Sequence, residues 1–431
     1  MKMEKSPYHE GVQYLFGLQK YGIKFGLSKT SNMMSFFGNP HHGRKYLHIG
    51  GTNGKGSVAA FVASVLQSSG LKVGLYTSPH LVRFTERFRI NGKEIPRQKA
   101  LSLIRELKSA FSRKELPTFF EATTAMALLY FAREDTDVAI MEVGMGGRLD
   151  ATNIISPLVS VITNISMEHQ NFLGSCLLDI AGEKGGIIKE GVDLVSGVTQ
   201  PAVKTLFRSI CDKKGSSFFR LGRDFTYRNT GSGLNYYGIE RRLKGLDIGL
   251  LGGFQSKNAA IALAAVERVE KKGFSFSDSR IRDGLSKTRW PGRMQLISEN
   301  PMIVLDGAHN PGAIRELARS LRTSLSFRKM ILVIGVMEDK DIKRMLGSIV
   351  PLADHVIYTR PVYSRAAEPD ILARKGSHLG VPGEVVPYLK EAVQRAKGLA
   401  RSSDLILICG SLFTVGEAMS HLDPHGYGKV E

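Results

Sequence analysis

The segment 50–56 combines residue types and a spacing that suit phosphate binding. It is rich in glycine, contains Lys55, and lies between an apolar run at 46–49 and a predicted helix at 57–67. A strand, a glycine-rich turn and a helix N-terminus form a cradle for phosphate, because the loop N–H groups converge and the helix dipole adds positive potential. The lysine supplies a full positive charge. The segment therefore predicts binding of a nucleotide phosphate.

The match to the P-loop motif is incomplete. That motif has glycine five residues before Gly54 and serine or threonine directly after Lys55. Here Ile49 and Gly56 occupy those positions, and Ser57 comes one residue late. A glycine-rich loop alone is often only a tight turn. The strand before the loop and the helix after it favour the phosphate cradle.

Glu142 is a candidate metal ligand. It closes the apolar run 137–143, where an unpaired carboxylate would be costly. Mg²⁺ prefers oxygen ligands and is held by few side chains together with phosphates and water. We therefore predict that Glu142 binds Mg²⁺; the alternative is that it pairs with a helix terminus or with Arg148.

Other polar residues have ordinary structural explanations when each is considered alone. Ser78 precedes Pro79 in a predicted turn, and His169 lies in a predicted loop. Lys184 could be a solvated helix lysine, and Asn258 could brace its helix. Arg293 could be an ion-pair partner, and Asp306 and His309 could be loop anchors.

The elements around these residues alternate between apolar strands and helices, which predicts a parallel sheet covered by helices. Ligands of such sheets collect at the carboxyl ends of the strands, where Lys55, Ser78, Glu142 and His169 are expected to lie. The predicted strands are 46–49, 72–76, 137–143, 158–163, 193–198, 302–306, 330–336, 355–359 and 404–409. The predicted helices are 11–19, 57–67, 98–111, 122–133, 178–188, 252–269 and 277–285. Residues 218–251 are expected to form an antiparallel edge.

The length of 431 residues predicts two domains, and the turn at 290–293 suggests domains 1–294 and 295–431. Hydrophobic content of 42% and charged content of 23% are typical of a soluble globular protein. The sequence lacks a signal-peptide pattern and any apolar run of membrane-spanning length, so we expect a cytoplasmic protein. Three widely separated cysteines, Cys176, Cys211 and Cys409, are expected to be buried free thiols.

The formal net charge of +19 is compatible with nucleic acid, an anionic membrane or small anionic substrates. No basic helix and no aromatic–basic RNA signature is present in the sequence. Small anionic substrates are therefore preferred, with no nucleic-acid or membrane partner.

The motifs, taken together and in order, resemble the folylpolyglutamate synthase/dihydrofolate synthase family within the muramyl-ligase superfamily. They are GTNGKGS (51–57), TSPHL (77–81), TFFE (118–121), EVGMGGRLDATN (142–153), ITNISMEH (162–169), EKGGIIK (183–189), FQSKNA (254–259), PGR (291–293), DGAHNP (306–311) and GSLFTVGE (410–417). They span nearly the whole chain, and GRLDATN distinguishes the folate branch from the cell-wall ligases.

The resemblance implies an α/β fold: an N-terminal P-loop-like ATPase domain with a parallel sheet, and a smaller C-terminal Rossmann-like domain. It implies ATP phosphates on Gly54, Lys55, Gly56 and Ser57, and nucleotide contacts from Asn258, Arg293, Asp306 and His309. It places Mg²⁺, expected to be two ions, on Ser78, Glu142 and His169, and suggests a carbamylated Lys184. Lys55, Glu142, His169 and Lys184 form the expected catalytic set. The expected pterin-binding residues are Thr118, Phe119, Phe120, Glu121, Leu149, Asp150 and Ala151.

Two departures from the family pattern are visible. The family commonly has Leu-Asp-His where this chain has Met167-Glu168-His169, and Ala-Gly where it has Gly185-Gly186. Neither removes an expected ligand.

The implied reaction transfers the γ-phosphoryl group of ATP to a substrate carboxylate, and the amine of L-glutamate then attacks the acyl phosphate. The expected substrates are dihydropteroate, reduced folates and L-glutamate, handled by a monomeric bifunctional enzyme. One alternative is a muramyl ligase acting on a UDP-linked sugar peptide. Another is a nucleotide-binding regulator or nucleic-acid-associated ATPase, which would show strongly salt-dependent binding.

Overall fold

An eight-stranded sheet organises the N-terminal part of the chain in the computed structural model, which describes residues 6–22, 26–111, 116–428 and 430. Its strand order is β4-β3-β2-β5-β1-β6-β7-β8. The strands are β1 (Tyr46–Gly50), β2 (Val73–Tyr76), β3 (Phe88–Ile90), β4 (Lys93–Glu94), β5 (Val138–Glu142), β6 (Val159–Ile162), β7 (Asp193–Ser196) and β8 (Phe218–Arg220). All neighbouring pairs are parallel except β2/β3 and β3/β4. The predicted parallel sheet is thus confirmed.

Three further strands form a separate antiparallel sheet. They are β9 (Thr226–Thr230), β10 (Gly233–Tyr237) and β11 (Arg242–Leu246). The prediction of one antiparallel edge over 218–251 was wrong at its start, because β8 joins β7 in parallel. The reason is that Phe218 is buried, so its short strand extends the main sheet.

A third sheet, of six strands, has the order β12-β13-β17-β14-β15-β16. Only the edge pair β12/β13 is antiparallel. The strands are β12 (Gln295–Glu299), β13 (Met302–Asp306), β14 (Met330–Ile334), β15 (His355–Arg360), β16 (Gly383–Tyr388) and β17 (Leu405–Cys409). A smaller α/β unit in the C-terminal part of the chain is therefore confirmed.

The described helices match the predicted ones closely where apolar periodicity is clear. They are α1 (Pro7–Gly17), α2 (Ser28–Phe36), α3 (Lys55–Ser68), α4 (Arg97–Ser109), α5 (Phe119–Arg133), α6 (Gln170–Leu173), α7 (Leu177–Gly185), α8 (Pro201–Lys213), α9 (Gly253–Glu270), α10 (Asp278–Lys287), α11 (Pro311–Ser324), α12 (Ile342–Ile349), α13 (Pro369–Gly376), α14 (Leu389–Leu399), α15 (Leu412–Leu422) and α16 (Pro424–Tyr427). The first helix begins earlier than predicted, because Ser6 caps it and Pro7 occupies its first turn.

The chain divides into two compact units. The first comprises the described parts of Met1–His80, Phe84–Ile248 and Lys257–Thr288, and the second comprises those of Leu81–Arg83, Gly249–Ser256 and Arg289–Glu431. Two short segments therefore join the C-terminal unit from earlier in the sequence. The domain boundary after residue 294 stays a prediction.

The helix α5 forms the centre of one core cluster of the first unit. Apolar side chains occur on every face of this helix, and residues from Ala122 to Leu129 are almost completely buried. A helix that is hydrophobic all round must be enclosed by other elements. Side chains from α1, α2 and α4 pack in the same cluster, so the N-terminal helices fix the position at which α5 begins.

Two expectations from the composition concern the cysteines and membrane-spanning helices. Cys211 and Cys409 are buried free thiols, but Cys176 is exposed, because it precedes the first residue of α7 at the surface. Among the residues that the structure describes, no helix combines the length and the apolar character needed to cross a bilayer.

The contact between α10 and α3 gives a stability prediction. A Cβ atom at Gly284 would lie 2.5 Å from Cα of Val65, a backbone atom that cannot move aside easily. Gly284→Ala should therefore destabilise the protein by about 1–3 kcal/mol. Gly347→Ala is the matched control, because the helical Gly347 has open space around its missing Cβ. This control should gain up to about 1 kcal/mol from helix propensity. Urea unfolding midpoints check both, and an unchanged midpoint for Gly284→Ala would contradict the packing argument.

Candidate active site

The glycine-rich loop joins the end of β1 to the start of α3. Gly51 and Gly54 have φ values of 128° and 84°, which favour glycine. A Cβ atom would lie 2.1 Å from Oγ1 of Thr163 at Gly51, and 2.6 Å from Oδ1 of Asn258 at Gly54. Both glycines are therefore required by conformation and by space. The loop also lies directly beside Asn258, one of the predicted nucleotide-binding residues.

The segment after β6 holds this loop through backbone and side-chain hydrogen bonds. The N–H of Asn53 donates to Oδ1 of Asn164 at 2.8 Å, and the Thr163 hydroxyl donates to the carbonyl of Asn53 at 2.7 Å. The N–H of Thr52 donates to the Asn164 carbonyl at 2.9 Å. Sequence reasoning did not assign a role to Thr163 or Asn164. Their position at the end of a predicted strand was the available signal.

Two lysines converge on one carbonyl of the loop. Nζ of Lys55 and Nζ of Lys184 donate to the carbonyl oxygen of Gly51 at 3.2 and 3.0 Å. Lys184 is 2% exposed and forms an ion pair with Glu168 at 2.8 Å. Burial lowers the pKa of Lys184, although the Glu168 carboxylate opposes this shift. The predicted solvated-helix alternative for Lys184 is therefore wrong, because the side chain points into the interior.

Glu168 is a site residue that sequence reasoning missed. Burial disfavours its charge, but the nearby Lys184 and Lys55 ammonium groups outweigh burial and lower the pKa of Glu168 to about 2. It carries negative charge at neutral pH and partly offsets the positive charges of the two lysines. The signals in the sequence were its place beside His169 and the aspartate that the family commonly has at this position.

Two of the predicted metal ligands lie at the ends of the neighbouring strands β2 and β5. Ser78 follows β2, and Glu142 is the last residue of β5. The N–H of Ser78 donates to Oε2 of Glu142 at 3.3 Å, and Glu142 is 5% exposed. The alternative partner, Arg148, instead pairs with Glu183 at 2.8 Å. A buried carboxylate and a serine whose backbone N–H contacts it are residue types that carry the oxygen donors Mg²⁺ prefers, so these residues fit the ion.

His169 differs from the other two predicted ligands. It is exposed and precedes α6 with a φ value of 47°. Its position near Glu168 is seen in its electrostatic effect on that carboxylate. No cluster of three or more His, Cys, Asp or Glu side chains suited to a metal occurs in the described parts of the chain. Of the three predicted ligands, only Glu142 and His169 have side chains of these types. Ligation by His169 therefore stays a prediction.

The segment Thr118–Glu121 begins α5 with a capping box. The Thr118 hydroxyl accepts from the N–H of Glu121 at 3.3 Å, and the Glu121 carboxylate accepts from the N–H of Thr118 at 2.7 Å. Both side chains therefore stabilise the helix start. The Phe120 ring lies 2.4 Å from where a Cβ atom of Gly144 would be, so this glycine allows α5 to approach the loop after β5.

Asp150 is the buried end of a hydrogen-bonded chain that begins at His48. The carboxylate accepts from the hydroxyl and the N–H of Thr152 and from the N–H of Met145. The Thr152 hydroxyl oxygen is 2.8 Å from Nε2 of His48. Since that hydroxyl donates to Asp150, it must accept from Nε2–H. Burial raises the pKa of Asp150, although these bonds oppose the shift. Leu149 and Ala151 flank Asp150, and Ala151 begins a short 3₁₀ helix.

The buried His48 leads to a prediction about pH. Burial and the charge of Lys189 lower its pKa from 6.5 to about 3. The unfolded chain therefore binds a proton below pH 6.5 that the folded chain excludes. Stability should fall as pH drops from 6.5 toward 3, by about 1.4 kcal/mol per unit from this group. The thermal unfolding midpoint of His48→Asn should depend less on pH than that of the wild type. The exposed His378→Asn is the control, and parallel profiles for all three proteins would refute the assignment.

Three predicted nucleotide-binding residues belong to the C-terminal unit. Asp306 closes β13, is 3% exposed, and accepts from the N–H groups of Met294 and Ala308 at 2.9 and 2.8 Å. Burial raises its pKa, and the charge of Arg293 opposes that shift. Nδ1 of His309 donates to the carbonyl of Gly307 at 2.9 Å. The turn that contains Arg293 and the loop after β13 thus lie together within this unit.

Two regions of the chain match known protein families. The sequence profile of the Mur ligase middle domain matches residues 49–266, and that of the Mur ligase glutamate ligase domain matches residues 292–412.

Curated relatives cover nearly the whole chain. The dihydrofolate synthase/folylpolyglutamate synthase of Bacillus subtilis is 33% identical over 433 residues, covering 96% of this chain and 99% of the relative. The probable bifunctional folylpolyglutamate synthase/dihydropteroate synthase of Haloferax volcanii is 36% identical over 423 residues, covering 95% of this chain and 50% of the relative. The chain thus spans about half the length of the archaeal protein and almost all of the bacterial one.

Solved structures share the fold. Escherichia coli FolC in complex with DHPP and ADP has a TM-score of 0.90 and 33% identity, covering 98% of this chain and 99% of that one. A bifunctional folylpolyglutamate synthase/dihydrofolate synthase with Mn, AMPPNP and L-glutamate bound has a TM-score of 0.86 and 32% identity, covering 97% and 98%. The chain belongs to the dihydrofolate synthase/folylpolyglutamate synthase family of ATP-dependent Mur-type ligases.

Proposed function

We propose that the protein uses ATP to join L-glutamate to dihydropteroate and to the γ-carboxylate of reduced folates. The observation that carries this proposal is the arrangement at neighbouring strand ends of the first unit. The phosphate loop follows β1, Ser78 follows β2, and Glu142 closes β5. The segment that begins α5 packs against the loop after β5. DHPP, ADP and L-glutamate are bound in the solved relatives, which supports these substrate classes.

The phosphate loop has the groups needed for phosphoryl transfer. N–H groups of the loop, with Gly54, Gly56 and Ser57 at the start of α3, bind the ATP phosphates in our proposal. Lys55 neutralises the charge that develops on the transferred phosphoryl oxygens. The γ-phosphoryl group passes from ATP to the substrate carboxylate, which gives an acyl phosphate and releases ADP. The neutral amine of L-glutamate then attacks the acyl carbon, phosphate leaves, and the nitrogen loses a proton as the amide forms.

Ser78, Glu142 and His169 would hold Mg²⁺, for which the Mn-bound relative provides support. The metal would supply positive charge to the phosphoryl oxygens. The number of ions, two in our proposal, depends on further ligands from phosphates and water.

Carbamylation of Lys184 is part of the proposal. A neutral amine adds to CO₂ and loses a proton to give a carbamate, and the burial that lowers the pKa of Lys184 favours that neutral form. The product is an anion that could bind Mg²⁺ through oxygen, whereas the ammonium would repel it. Because a carbamate would face Glu168, the two negative groups need a cation between them. A ¹³C carbamate signal from protein equilibrated with ¹³CO₂ and Mg²⁺, absent in Lys184→Met, is the expected result.

The proposal also assigns residues to the binding of the pterin substrate and of the nucleotide. Dihydropteroate lies along two segments of the first unit. The pterin-binding residues are Thr118, Phe119, Phe120, Glu121, Leu149, Asp150 and Ala151, and the additional nucleotide-binding residues are Asn258, Arg293, Asp306 and His309. A monomeric, cytoplasmic enzyme without nucleic-acid or membrane partners completes the proposal.

Release of ADP tests the function directly. Purified protein is given Mg-ATP and L-glutamate, with dihydropteroate or tetrahydrofolate added separately. Turnover with both pterins is expected, and turnover with only one would restrict the enzyme to that reaction. If neither pterin raises ADP release in folded protein that binds ATP, the folate assignment fails. UDP-linked muramyl peptides would then be the next substrates to test.

A further inference from the structure

A buried arginine outside the predicted site contacts two of its segments. Arg87 ends a 3₁₀ turn, Phe84–Arg87, and is 6% exposed. Its Nε donates to Nδ1 of His80 at 2.8 Å, and its guanidinium carbon lies 5.0 Å from the centre of the Phe119 ring. Sequence reasoning gave no role to Arg87 or His80.

The hydrogen bond between Arg87 and His80 determines the form of the imidazole. A guanidinium Nε always carries its proton in proteins, so it can only donate. Nδ1 of His80 must therefore be the acceptor, without a proton. The ring is then neutral with its proton on Nε2, which faces away from Arg87 as a hydrogen-bond donor.

The same guanidinium connects two functional segments of the first unit. His80 lies two residues after Ser78, the predicted metal ligand, while Phe119 belongs to the predicted pterin-binding segment. The ring of Phe16 from α1 stacks on Phe119 with a centroid distance of 5.5 Å and is 6.0 Å from His80. Arg87, His80, Phe16 and Phe119 therefore contact one another in a ring, so movement of Arg87 would displace both segments.

We propose that Arg87 is a positioning residue, which holds the turn at Ser78 in register with the segment Thr118–Glu121. The same arginine fixes His80 as the Nε2–H form. The inference rests on the proposed function for its kinetic consequences. The ring form of His80 depends on geometry alone.

Substitution of Arg87 tests the positioning role. Arg87→Met keeps the length of the side chain and removes the planar cation, and Arg87→Lys keeps the charge without the Nε donor. Both should raise KM for dihydropteroate and lower kcat, with a fall in kcat/KM of about tenfold or more from misplacement. Arg268→Met is the matched control, because Arg268 also lies over a phenylalanine ring, 4.4 Å from the Phe219 centroid, and pairs with Asp193. Full activity in Arg87→Lys would show that charge alone matters and would overturn the proposal.

Variants of His80 separate positioning from simple loss of packing. Asn offers its Oδ1 at the place of Nδ1, whereas Leu offers no acceptor. His80→Asn should therefore retain at least about fivefold more kcat/KM than His80→Leu, which is a difference of about one hydrogen bond. Equal activities would contradict the role of the Arg87 hydrogen bond. Urea unfolding of each variant establishes whether the protein is folded.

The imidazole form is measured without any turnover. In protein labelled with ¹⁵N-histidine, the resonance absent from His80→Asn belongs to His80. We expect an unprotonated Nδ1 and a protonated Nε2 in the wild type, and loss of this fixed pattern in Arg87→Met. A protonated Nδ1 would overturn the inference even if the enzyme is active. If the wild type does not turn over pterins, the proposed function fails, while the ¹⁵N pattern still decides the geometry.

Discussion

Lys55→Met is expected to reduce ADP release about 10²- to 10³-fold with dihydropteroate as the substrate. The Lys55 ammonium group donates to the carbonyls of Gly51 and Thr52 at 3.2 and 3.1 Å, which holds it over the loop. Methionine has a similar length but no charge, so the loop conformation should remain while the phosphoryl oxygens lose a cation. Steady-state ADP release at saturating ATP measures the loss.

The control for Lys55 is Lys287→Met on α10. Lys287 is 67% exposed and pairs with Asp283, a surface interaction within one helix. Such a pair is worth about 0.3–0.5 kcal/mol, so turnover should not change. ATP binding to Lys55→Met, measured by calorimetry, separates weaker binding from slower transfer. Turnover of Lys55→Met within tenfold of the wild type would exclude a major role in phosphoryl transfer.

Glu142→Gln should lower turnover about 10²- to 10³-fold and raise the Mg²⁺ concentration needed for half-maximal activity. The amide has nearly the shape of the carboxylate and keeps an oxygen that can accept from the N–H of Ser78. The fold is therefore expected to persist, while the anionic ligand is lost. Activity as a function of Mg²⁺ concentration is the measurement.

Glu106→Gln provides the comparison for Glu142→Gln. Glu106 lies on α4 and pairs with Arg133, and its side chain is 38% exposed. Its substitution should leave the Mg²⁺ dependence unchanged. If Glu142→Gln has the same Mg²⁺ dependence as the wild type, Glu142 is not a metal ligand, and its buried carboxylate only supports the turn at Ser78.

Local sequence signals predicted several elements almost to the residue. The strand β13 was predicted at 302–306 and has those bounds, because the apolar run 302–305 and Asp306 lie between Pro301 and Gly307. The helix α8 was missed although Pro201 and the spacing of Val203, Phe207 and Cys211 were available as signals. The helix α2 was missed for a different reason, since its sequence is polar and only weakly periodic.

Contacts between residues far apart in the sequence could not be predicted. The pairing of Glu168 with Lys184 and of Arg148 with Glu183 depends on which loop lies beside α7. Each carboxylate had more than one possible partner in the sequence. Charge alone does not select among them, because an ion pair forms only where the backbone brings the two groups together.

The amino-acid sequence by itself determined the order of the motifs, the α/β class and the nature of the phosphate loop. These depend on local periodicity and on glycines whose backbone conformation other residues rarely adopt. Only the tertiary structure decided which buried groups compensate one another: Lys184 with Glu168, Arg87 with His80, and His48 with Thr152. The physical reason is that a buried charge or polar group must find its partner in three dimensions, and that partner is set by the packing of strands and helices distant in the chain.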